Sequence, residues 1–293
     1  MDTLRIPELG TVSIKTLSIS EFKAFPMKWA GEEGWNPGLA DTDIFYQAEP
    51  EAHLGIEQHG KILGCGSIVS YDGKFGFMGL FIVDPLYRGK GIGKVLWEYR
   101  RDLLLNKLNN KPVIGMDGVF NMQQFYQKGG FQFSHRNLRM QGKAVGIRKP
   151  EINMEFRPSD YDEVATYDEK HFGFRRTQFL KLWLFHPQIF TLLNIKKDKI
   201  AGLISYRQCI SGYKIGPLFA DDETIAASLL SSVMNRIPGE TVFLDIPEIN
   251  PQAVALARQF SLTEVFGCAR MYLGNPPETP WQQIYGITTF ELG

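Results

Sequence analysis

Arg88-Gly89-Lys90-Gly91-Ile92-Gly93-Lys94 packs three glycines and three cations into seven consecutive residues. Glycine lets a ligand approach bare backbone, and Arg and Lys supply the charge a phosphate group calls for. The run before it, FMGLFIVDP (77–85), reads as a buried strand ended by Pro85. The run after it, GKVLWEYRRDLLLNKL (93–108), repeats apolar Val95, Leu96, Tyr99, Leu103 and Leu104 at helical intervals. The glycines therefore fall on a strand-to-helix turn, where unpaired N–H groups and the helix dipole favour an anion. Two common phosphate motifs are excluded. Gly93-Lys94 is followed by Val95 rather than Ser or Thr, and Leu96 stands where a dinucleotide fingerprint needs its third glycine.

The elements that must carry this turn fall into two groups. A chain of 293 residues exceeds one typical core, so two domains are expected. Hydrophobic content of 44%, charged content of 22% and a net charge of zero describe an ordinary globular protein without a broad footprint for nucleic acid or anionic membrane. The opening MDTLRIPELG lacks the apolar core of a signal peptide, and no apolar run reaches membrane-spanning length. Cys65, Cys209 and Cys268 form neither a disulfide framework nor a zinc spacing, and five scattered histidines suggest no metal cluster. The expectation is a soluble cytoplasmic protein without a metal.

The stretch GKAVGIRKPEI (142–152) reads as a seam, dividing the chain into 1–146 and 147–293. Before it, strands are expected at 12–17, 52–58, 64–71, 75–83 and 112–116, with helices at 19–29, 93–108 and 121–128. After it, strands are expected at 154–157, 190–196, 200–209, 213–219, 241–245 and 266–272, with helices at 162–172, 177–184, 222–237 and 251–260. The similar order of elements suggests a duplicated α+β unit.

V-D-P-L-Y-R-G-K-G-I-G (83–93), with F-Y-x-K-x-G-F downstream at 125–131, resembles the coenzyme A loop and following helix of the GNAT acyltransferase superfamily. The segment around G-W-N-P-G (34–38) and the closing IYGITTFELG are similar to GNAT proteins with a second, divergent domain of the same type. The resemblance implies a mixed central sheet flanked by helices in two tandem domains, the second degenerate. It implies acetyl-CoA as co-substrate, held by Arg88, Gly89, Lys90, Gly91, Ile92, Gly93 and Lys94. Backbone N–H groups around Ile82 and Val83 would polarise the acetyl carbonyl. Tyr126 would protonate the departing thiolate, as a phenol held beside a developing sulfur anion can; the alternative is an aromatic packed beside Phe125 and Phe131.

Many family members carry a glutamate base where this chain has Gly79. Asp117 is the substitute base expected here, or else a turn cap, and Glu33 or Asp41 flank the G-W-N-P-G segment. Trp29, Trp35, Asn36 and Asp41 are expected to line a pocket for a small primary amine, unless the segment is simply a turn pinned by a core tryptophan. Arg175 or Arg176 could meet a substrate carboxylate. In the second half an acidic turn, Ala220-Asp221-Asp222-Glu223, replaces the glycine loop, Ala257 takes the place of Tyr126, and Ser261 that of Gly130. That half is expected to close the cleft or form a homodimer. A non-catalytic acyl-CoA sensor and a tRNA-dependent aminoacyl transferase are the rival readings; the zero net charge disfavours the latter.

Overall fold

The computed structural model describes residues 2–109, 111–145 and 153–293. The chain runs β1 (Asp2–Ile6), β2 (Gly10–Thr16), α1 (Ile19–Phe22), α2 (Lys28–Glu32), α3 (Asp41–Ala48), β3 (His53–Gln58), β4 (Lys61–Tyr71), β5 (Phe75–Val83) and α4 (Ile92–Lys107). Then come β6 (Ile114–Val119), α5 (Gln123–Lys128), β7 (Gln132–Lys143), β8 (Met154–Glu155), α6 (Tyr161–Phe172) and α7 (Thr177–Phe185). The order closes with β9 (Ile189–Lys196), β10 (Lys199–Gln208), β11 (Tyr213–Ala220), α8 (Glu223–Arg236), β12 (Thr241–Pro247), α9 (Pro251–Gln259), β13 (Thr263–Leu273) and β14 (Ile284–Gly286).

The helix expected over 19–29 is interrupted. Pro26 has no N–H to bond back along the helix, and a π-helical turn at Lys23–Met27 accommodates it between α1 and α2. β1, α3, β7 and β14 were not anticipated.

One mixed sheet runs β1-β2-β3-β4-β5-β6-β13-β7-β12-β11-β10-β9-β8, with β14 added on β11. The order crosses the 146/147 division. β13, from the second half, pairs with β6, and β7, from the first half, pairs with β12. β7 and β13 then pair with each other at the centre. Each half has therefore passed one strand, β7 or β13, across to the other. Of the expected seam, residues 146–152 lie outside the described residues.

The two halves repeat each other around that central pair. β5 and β6 are parallel and in register only over Gly76–Ile114, Phe77–Gly115 and Met78–Met116. β11 and β12 repeat this over Tyr213–Val242, Lys214–Phe243 and Ile215–Leu244. In both, the parallel strands then separate. α4 and α5 pack on the first half, α8 and α9 on the second, each over its own core. On the remaining helices a third core, from Phe22 and Phe77 to Trp183 and Leu203, spans both halves.

Three buried Arg–Asp pairs also join the halves: Asp41–Arg207, Asp117–Arg270 and Arg139–Asp245. Removing one partner of such a pair strands a buried charge, at about 3–5 kcal/mol, so these pairs fix how the halves meet.

Candidate active site

β5 carries the site because it stops being regular at Leu80. Two residues of β5 face one of β4 between the Ser67–Gly79 and Cys65–Ile82 pairs, and Leu80 has a φ of +48°, in the left-handed region. A bulge bends its strand and leaves backbone groups out of the ladder. Arg100, fully buried on α4, staples this bend by donating to the carbonyls of Gly79 (2.8 Å) and Ser67. Gly66 leaves the room, since a Cβ there would lie 2.3 Å from Arg100 Cζ. With no acidic partner among the described residues, burial depresses the Arg100 guanidinium to about 10.

Past the bulge, β5 turns an unpaired edge toward the gap left by β6. The Asp84 N–H bonds Leu63 of β4, so by strand alternation the Ile82 N–H also faces β4 and the Val83 N–H faces the gap. Arg88 Nε takes the Val83 carbonyl on that same edge at 2.9 Å. Of the two residues expected to polarise a carbonyl, Val83 turns its N–H to the gap and Ile82 turns its own toward β4, opposite Cys65.

Gly89 and Gly91 have φ of +80° and +82°, conformations that favour glycine. Gly91 is the N-cap of α4 and provides no side-chain cap among the described residues. The helix therefore starts with free N–H groups. In the second half the matching helix α8 is closed by its own carboxylate, Asp222, bonded to the Ile225 N–H at 2.9 Å. In the first half Arg88 pairs with Glu33, and Lys94 with Glu98 at 3.9 Å.

A cavity of about 450 Å³ joins this turn to Tyr126. Arg88, Gly89, Gly91, Gly93 and Lys94 line one end; Phe81, Val119, Phe125 and Tyr126 line the other. A second, narrower cavity of about 50 Å³ continues beyond it, and the two share Trp35, Phe81, Val119 and Tyr126 as walls. Tyr126 therefore stands at the junction, 4% exposed, and burial pushes its phenol well above the usual tyrosine range. Gly118 admits the ring, because a Cβ there would lie 2.4 Å from it. The Phe131 N–H bonds the Tyr126 carbonyl just as the Leu262 N–H bonds that of Ala257, which puts Ala257 at the matching place in the second half.

The second half supplies Phe266, Cys268, Phe290 and Glu291 to the narrower cavity. Sequence reading missed these four; the closing motif ELG was the available signal. Asp117 also faces this cavity, but its carboxylate accepts two bonds from Arg270 (2.9 and 2.6 Å) and one from Asn137 (2.7 Å). Its oxygens are held by that network, and the expectation of a catalytic Asp117 is corrected to an anchor of β13 on β6.

The G-W-N-P-G segment is a strap between the halves. Asn36, at φ +53°, exchanges two hydrogen bonds of 2.9 Å with Ser211, and the Leu39 N–H bonds the Gln208 carbonyl. Arg139 and Lys214 both hold the Trp35 carbonyl, which fixes Trp35 over the cavities. Asn36 and Asp41 do not line either cavity: Asp41 is fully buried against Arg207, with Gly38 leaving the space. Trp29 packs on the shared core beside Phe25. Arg176 is likewise buried, bonding Asp168, Thr288 and the Gly293 carbonyl, and so clamps the closing segment rather than a ligand.

Among the described residues no His/Cys/Asp/Glu group could hold a metal ion, and no helix is long and apolar enough to cross a membrane. The three cysteines are buried and free.

Comparison with known proteins gives two family matches: the acetyltransferase (GNAT) family over residues 17–131, and an acetyltransferase (GNAT) domain over residues 164–286. The chain is 27% identical, over 98% of its length and 96% of the relative's, to the holothin acyltransferase of Pseudoalteromonas sp. (strain SANK 73390). Its structure resembles a putative acetyltransferase from Pyrococcus horikoshii, with a TM-score of 0.82 at 23% identity, covering 96% of each chain. It also resembles a tandem GNAT protein from the clavulanic acid biosynthesis pathway, with a TM-score of 0.63 at 13% identity, over 91% of this chain and 99% of that one.

Proposed function

The chain belongs to the GNAT acyltransferase superfamily, with two such domains in tandem, and we propose that it transfers an acyl group, acetyl in the simplest case, from coenzyme A to the amine of a small metabolite. One observation carries this reading. A single cavity links the open N-terminus of α4, with its glycines and cations, to the buried Tyr126.

The parts then have distinct tasks. The N–H groups at the start of α4, with Arg88 and Lys94, suit the pyrophosphate. The unpaired edge of β5 suits the extended arm of coenzyme A, and the Val83 N–H suits the thioester carbonyl oxygen as it gains charge. Tyr126 stands where the thiolate departs and can give it a proton. The narrower cavity, walled by Trp35 and the second half, suits the acceptor. Acyl-coenzyme A and reduced thiols are both at home in the cytoplasm, where we place the protein.

The test is release of free thiol from acetyl-CoA in the presence of a panel of small primary amines. Turnover is expected with at least one amine, and Tyr126→Phe is expected to lower kcat by roughly 10²–10⁴-fold with acetyl-CoA affinity unchanged. Because burial raises the phenol, it stays protonated through neutral pH, and any alkaline loss of activity falls above the ordinary tyrosine value of about 10. Binding without turnover of any amine would favour an acyl-CoA sensor.

A further inference from the structure

The site lacks the glutamate expected at residue 79, and the structure shows what occupies that space. A Cβ on Gly79 would stand 1.9 Å from the carbonyl oxygen of Glu291 and 3.1 Å from its Cα. A side chain at 79 and the segment 287–293 thus exclude each other. This segment is buried along its length. Arg176 grips it at Thr288 and Gly293, and the Tyr71 hydroxyl bonds the Leu292 carbonyl at 2.7 Å.

Glu291 lines the narrower cavity on this segment, 4% exposed, and Tyr126 lines the same cavity. Its Oε2 is buried without a hydrogen-bond partner among the described residues. The neighbouring carboxylates differ. Asp41, Asp117 and Asp245 are each engaged by two nitrogens of one arginine. Arg139 and Arg207 act on Glu291 through space while bonded to Asp245 and Asp41, and the Cys268 thiol lies within the same range. Those two arginines are therefore already paired with aspartates, and Glu291 keeps a buried oxygen without a partner among the described residues.

We propose that Glu291, delivered by the second half, is the general base that deprotonates the acceptor amine. The assignment rests on the acyl-transfer reading above. An acceptor ammonium gives one proton to Glu291, and the freed lone pair forms the C–N bond at the thioester carbonyl. As the C–S bond breaks, the thiolate takes the Tyr126 proton, and the second amine proton restores the phenol. The third proton remains on the amide. Glu291 returns its proton to solvent, so the sum is amide, free coenzyme A and one proton.

Three measurements on the full chain test this. Glu291→Gln keeps the size of the side chain, and its melting temperature and acetyl-CoA affinity should match the wild type. With an alkylamine acceptor, charged at neutral pH, its kcat/KM should fall by roughly 10²–10⁴-fold and lose the acid limb of the pH profile. With an aromatic amine, already neutral, the fall should be far smaller. Glu291→Ala should regain activity with added formate, which can enter the vacated space. Wild-type rates in Glu291→Gln, or equal losses with both acceptors, would overturn the assignment while leaving acyl transfer standing. Failure of the wild type to acylate any amine would remove the acyl-transfer reading and this assignment together.

Discussion

Gly79 and Gly216 hold matching places, one residue past the last parallel pair of β5 and of β11. A Cβ on Gly216 would meet the carbonyls of Ile287 and Thr288 at 2.4 and 2.7 Å, as one on Gly79 would meet Glu291. Both glycines are absent side chains that let one segment through. Gly79→Ala should therefore displace the segment, costing about 1–3 kcal/mol of stability, as overpacking does. Chemical denaturation reads this cost, and unchanged stability would refute the close packing. At this scale the sequence was informative about type and misleading about meaning. Gly79 was legible as a missing base, but nothing local announces that residue 291 arrives beside it. Asp117 and Asp41 were legible as carboxylates near the right segments; their arginine partners lie in the other half, beyond the reach of spacing arguments.

The strands explain what pattern reading could and could not see. β5, β10 and β11 are nearly continuous apolar runs and were read close to their observed limits. β7 was not, because Asn137 and Arg139 sit at buried positions and break the alternation that marks a strand. Each donates to an aspartate, Asn137 to Asp117 and Arg139 to Asp245. β14 has three residues, too few for any period to show. The exchange of β7 and β13 carries a prediction. A fragment of residues 1–146 lacks the strand that covers β6, and its β7 lacks both neighbours. Expressed alone, it should show no cooperative unfolding transition by circular dichroism. A sharp two-state transition in that fragment would contradict the exchange.

As a whole, the molecule is two copies of one design in which only the first keeps its cleft open. In the second, β14 pairs with β11, and the Ile287 N–H bonds the Asp245 carbonyl on β12, filling the gap between the separated strands. Asp222 caps α8 where a ligand anion would sit. The plug then continues through Thr288 to Glu291 and lines the cavity of the first half. The duplication was legible in the repeated order of elements, and the loss of the second loop in its acidic turn. The plug was not, since it depends on how the last residues cross both halves. Calorimetric titration with acetyl-CoA distinguishes one open cleft from two or none. The wild type should bind one molecule per chain at the Arg88–Lys94 turn, and Gly91→Asp, which sets a carboxylate at the start of α4, should abolish the heat of binding while leaving the fold intact. Two molecules per chain, equal binding by the variant, or no binding at millimolar ligand would contradict a single open cleft at that turn.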